Sequence, residues 1–138
     1  THHENFIRIV GTKLKQNNKV LIIDCHSFPK HPLPYELNQA MDRQEICIGT
    51  DNFHTSEKLK NLFGELFEGL NFTVKYNEPF KGSIVPLKFY NKEIRVQSIM
   101  IEVRRDLYMN EQSGEKNEYF VEIQNKLNLN IYEVLNKI

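Results

Sequence analysis

Four consecutive aliphatic residues, Val20-Leu21-Ile22-Ile23, stand between Lys19 and Asp24 and run straight into Cys25-His26-Ser27. A run this short is far below the roughly 20 apolar residues a membrane helix needs. It has no polar alternation, so as a strand it is apolar on both faces. Such strands belong to buried, largely parallel sheets, which require helices on both sides. The chain is thereby committed to a layered α/β arrangement. At 138 residues it has enough length for one domain with a real core.

The remaining pattern fits that frame. Phe6, Ile7, Ile9, Val10 and Leu14 form a helical stripe over residues 3–16, which Asn17-Asn18 ends. Pro29, Pro32 and Pro34 forbid regular structure early in 27–44 and predict a long loop. Residues 45–49 and 97–103 read as short strands, and 71–76 as a β-rich run. Leu59, Leu62, Phe63, Leu66, Phe67 and Leu70 repeat with helical spacing over 55–69. Gly64 inside that helix costs about 1 kcal/mol relative to alanine, which calls for a close neighbour. A final amphipathic helix is expected from about Ser113 to Asn136. The order predicts a mixed sheet flanked by helices, in a single domain over 1–138.

Lys plus Arg equals Asp plus Glu, 18 each, so the formal net charge is zero. No field draws the chain to nucleic acid or to an anionic membrane. Cys25 and Cys47 lie in or beside apolar runs and read as two buried free thiols, which suits a cytoplasmic protein.

Four segments hold residues suited to chemistry. His26 follows the carboxyl end of the apolar strand, where α/β sheets bind ligands. A neutral imidazole there is a zinc ligand by type, and Asp24 or Ser27 can orient its ring. Glu102 sits in Ile99-Met-Ile-Glu-Val103, sharing a strand face with Met100 and Arg104. A carboxylate in that setting is either paired, with Arg104 the obvious partner, or raised in pKa and used as a base. His54 leads into the 55–69 helix, and helix starts bind anions. The His54–Glu57 spacing of two zinc ligands is a coincidence if Glu57 serves the helix start. In Asn77-Glu-Pro-Phe-Lys-Gly82, Lys81 can meet a carboxylate and Gly82 lets backbone approach a ligand. Judged singly, each segment has an ordinary structural reading as well.

Taken in order, Ile23–Pro29, Ile46–Asp51, Asn77–Gly82 and Ile101–Tyr108 resemble the N-formylglutamate amidohydrolase family, a relative of the zinc carboxypeptidases. The resemblance implies a phosphorylase/hydrolase-like fold. It also implies a zinc-dependent enzyme that hydrolyses an N-formyl or N-acyl amino acid, as in histidine degradation. His26 maps to a metal ligand and Glu102 to the catalytic carboxylate. Asn77, Lys81, Gly82, Arg104, Arg105 and His54 become candidates for substrate contacts, with Arg43 a further carboxylate partner. The family's other two metal ligands, a His and a Glu, lie upstream of the matching segments. The domain is therefore expected to be incomplete at its amino end. Three explanations stay open: a longer enzyme, a family member that binds without turning over, or replacement ligands among His2, His3, His31 and His54. No nucleic-acid or membrane partner is expected, and oligomeric state is not encoded in any motif.

Overall fold

The computed structural model describes residues 1–135. Helix α1 (His2–Asn17) precedes strands β1 (Val20–Phe28) and β2 (Ile46–Gly49), helix α2 (Glu57–Gly69), strands β3 (Val74–Tyr76) and β4 (Val96–Arg104), and helix α3 (Phe120–Leu135). The sheet order is β1-β4-β2-β3. β1 pairs with β4 in parallel, β2 pairs with β4 antiparallel, and β2 pairs with β3 in parallel. The sheet is thus mixed, with helices on both faces, as the element order predicts.

Local chemistry explains the element ends. Thr1 and Glu4 form a reciprocal cap at the start of α1, and Asn18 closes it in the left-handed conformation. Ser56 caps α2 by accepting from the Leu59 N–H, and Glu57 lies in the first turn. Glu57 therefore serves the helix start. The close neighbour of Gly64 is Tyr76, whose hydroxyl would lie 1.8 Å from an added Cβ. Residues 105–107 form a single 3-10 turn, and α3 begins seven residues later than the apolar pattern suggests. Residues 109–117 instead fold back through a Met109–Lys116 bridge. The expected end of this helix, Asn136, lies outside the described residues.

Two cores form. Ile46, Ile48, Ile99, Ile101 and Val103 pack one sheet face against Leu59, Phe63 and Phe67 of α2 and Ile123 and Val134 of α3. On the other face, Val10 and Leu14 of α1 meet Val96, Val85 and Phe89. β1 departs from expectation. It lies at the sheet edge, so Val20 to Asp24 are only half-buried and Cys25 is exposed, while Cys47 is buried. β4 is an interior strand, buried from Val96 to Val103.

The 29–44 loop is knitted by one side chain. Arg43 donates to Glu36, to the carbonyls of Pro29, Asn38 and Ala40, and lies 6.0 Å from the centres of both the Phe28 and Phe80 rings. Its guanidinium is nearly inaccessible and satisfied within the protein, so Arg43 is not available to a substrate carboxylate.

Candidate active site

The parallel register sets His26 of β1 opposite Glu102 of β4, and Asp24 opposite Met100. Register partners share a face, so Asp24, His26 and Glu102 lie on one side of the sheet near the carboxyl ends of β1 and β4. On the far side of β4, Cys47 is opposite Glu102 and Gly49 opposite Met100. The site therefore stands on three adjacent strands.

His26 Nε2 donates to Asp24 Oδ1 at 2.7 Å. Nδ1 has no hydrogen-bond partner among the described residues, on a side chain 49% exposed. A carboxylate holding one ring nitrogen while the other is open is how metal-binding histidines are oriented. Glu102 is 7% exposed, and its Oε2 has no hydrogen-bond partner among the described residues. Burial holds its pKa above the ordinary carboxylate value. His26 and Arg105 pull it back, whereas Asp24 and Glu36 push it up further.

Arg104 is not the partner of Glu102. Just past β4 the chain turns, and Arg104 Nε binds Asp106 at 2.6 Å while Nη1 donates to the Arg43 carbonyl. The guanidinium is spent on anchoring the 29–44 loop. Arg105 reaches across to β1 instead, donating to Ser27 Oγ at 3.3 Å and to the Ser27 carbonyl at 3.2 Å. It is the arginine whose charge bears on Glu102.

Other candidates fall away from this cluster. His54 is completely buried. Its Nδ1 donates to the Val96 carbonyl at 2.7 Å and its Nε2 accepts from the Asn91 N–H at 2.9 Å. With both nitrogens used inside the protein, the expected substrate contact by His54 is corrected to a structural role. Asn77 spends its side-chain amide on Thr50, accepting from its N–H and donating to its hydroxyl, each at 2.8 Å. That too is a structural use. Gly82 has a φ of +92°, so the turn needs glycine for its backbone conformation. The close approach occurs on the other side, where a Cβ on Gly49 would lie 2.3 Å from the Gly82 carbonyl oxygen. Lys81 is exposed.

The segment after Gly82 was missed in the sequence. It crosses the site face as a strap. Cys47 Sγ donates to the Phe80 carbonyl at 3.2 Å, and Ser98 Oγ donates to the Ile84 carbonyl at 2.8 Å. Serine and cysteine inside buried strands were the signal, because each needs a polar partner there. A groove of about 660 Å³ lies in the opposite layer between β1 and α3, lined by Cys25, His26, Ile101, Val103, Ile123 and Leu127.

Among the described residues, no three His, Cys, Asp or Glu side chains are grouped to hold a metal. His26 fits a metal by type and by its Asp24 support, but the donor count does not. No described helix is long and apolar enough to cross a membrane.

Fold and site together define an α/β domain with a carboxylate and a histidine side by side near adjacent strand ends. The chain belongs to the N-formylglutamate amidohydrolase family, whose model matches residues 2–109. Its fold matches a crystal structure of N-formylglutamate amidohydrolase from Ralstonia eutropha JMP134, with TM-score 0.81 and 26% identity, over 99% of this chain and 51% of that one. A gene product of Agrobacterium tumefaciens shares the fold at TM-score 0.64 and 23% identity, over 98% of this chain and 48% of that one. The chain thus spans about half the length of these solved relatives. No curated protein matches it.

Proposed function

We propose that this domain carries part of the active site of a zinc-dependent amidohydrolase acting on an N-formyl or N-acyl amino acid, N-formylglutamate being the first candidate. The observation that carries this reading is the buried Glu102 carboxylate with one oxygen unpartnered, set opposite a half-exposed, Asp24-held His26. A structural carboxylate at this depth would be paired.

In this reading Glu102 takes a proton from the attacking water and returns it to the leaving amine nitrogen. Its raised pKa suits both steps. Asp24 holds the His26 ring through Nε2, which keeps Nδ1 for a metal. Arg105 offers a positive charge near Glu102 for a substrate carboxylate. Zinc, where bound, would lower the pKa of its water to about 7. His26 would be one ligand, and the remaining donors would come from polypeptide outside these 138 residues.

The missing ligand cluster favours a second reading: a family member that binds the substrate class without hydrolysing it. Zinc analysis and a formate-release assay with N-formylglutamate, run on the product of the longest native open reading frame, separate the two. Zinc at one per chain with formate release supports the enzyme. Substrate binding with neither zinc nor formate supports the binding domain and overturns the enzyme.

A further inference from the structure

Two buried side-chain atoms among the described residues have no hydrogen-bond partner: Glu102 Oε2 and Ser83 Oγ. Both belong to the same face of the sheet. Phe80, Gly82 and Ile84 lie respectively against Cys47, Gly49 and Ser98, and these three share the face of Glu102. The strap therefore descends from the level of Glu102 to that of Ser98, with Ser83 between the levels of Met100 and Ser98. Successive same-face residues on a strand are about 7 Å apart, so Ser83 stands roughly 7–13 Å from Glu102 along β4. That interval is the scale of an amino-acid substrate whose scissile amide is at Glu102.

The backbone on either side of Ser83 is held in place. The carbonyl before it is pressed on Gly49, and the one after it is held by Ser98. An enclosed hydroxyl without a partner is costly, and an alanine would remove that cost without opening a significant void. A serine at this point is explained if a ligand supplies its partner.

We infer that Ser83 is a substrate-binding residue, its Oγ donating to a carboxylate oxygen of the bound N-acyl amino acid while Glu102 works at the amide. This rests on the hydrolytic reading above. The test compares wild type with Ser83→Ala and Ser83→Thr, each as the product of the longest native open reading frame, using N-formylglutamate as the probe, with steady-state formate release and thermal midpoints. A lost hydrogen bond to a charged group predicts a KM about 10-fold or more higher in Ser83→Ala. Turnover should stay within about 2-fold, the midpoint should be unchanged or higher, and Ser83→Thr should recover part of the affinity. An unchanged KM in Ser83→Ala, with or without a shift in midpoint, overturns the inference and leaves the hydrolytic reading intact. A wild type that releases no formate overturns the hydrolytic reading, and the inference falls with it.

Discussion

Two histidines, one near the carboxyl end of β1 and one in the loop after β2, have opposite fates. His54 is sealed between Phe53 and Tyr90 with both ring nitrogens bonded to backbone. His26 is half-exposed, with one nitrogen tied to Asp24 and the other open. The same contrast separates Arg104, spent on Asp106 and a loop carbonyl, from Glu102, buried with an idle oxygen. Satisfaction marks a structural polar group, whereas an orphaned or half-used one marks the site. Residue type and position after a strand do not distinguish the two.

Four substitutions or conditions can break or sharpen that contrast. The largest effect is expected from Glu102→Gln. Loss of the proton carrier should lower kcat for N-formylglutamate about 10²–10⁴-fold while the domain stays folded, as checked by kinetics beside circular dichroism. A variant retaining full turnover would remove Glu102 from the chemistry. His54→Ala should destabilise the domain by about 3 kcal/mol or more, since it orphans the Val96 carbonyl and the Asn91 N–H and leaves a void. Urea unfolding measures this. Unaltered stability combined with weaker substrate binding would erase the distinction between the two histidines.

Asp24→Asn keeps the size but replaces the anionic acceptor of the His26 ring. Zinc affinity should fall about 10–100-fold, read by competition with a chelator, at nearly unchanged stability. The smallest effect concerns pH. The folded pKa of Glu102 lies above its unfolded value, so ionisation there opposes folding. Below the unfolded pKa both states are protonated and the cost vanishes. It grows as pH rises from the ordinary carboxylate range to the raised folded value, then levels off. Glu102→Gln should therefore be more stable than wild type at neutral pH, with the gain fading as pH falls through that window. A gain that is constant with pH would show that the carboxylate is not the cause.

Much of this was legible in the chain. Alternation in 99–104 placed Glu102 on the face of Met100 and Arg104, and β4 keeps that register. The spacing in 55–69 gave α2, and Gly64 announced the Tyr76 contact. These signals are local, repeating within one or two turns. What stayed hidden depends on partners far away in sequence. The place of β1 at the edge follows from the order of strands, which periodicity does not carry. Arg104 reads as a same-face partner of Glu102 until the turn after β4 brings Asp106 under it. His54 resembles an anion-binding helix start because its bonds go to Val96 and Asn91, about forty residues on. Ser83 gave no signal, since an orphaned hydroxyl is visible only once its surroundings are built.

The single guanidinium that ties Pro29, Glu36, Asn38 and Ala40 together has a further consequence for the loop. Tethers that share one donor are lost together, so removing Arg43 frees four acceptors in one step. The contacts made by Lys30, Gln39 and Arg104 do not pass through that side chain and would still pin the segment at its two ends and middle.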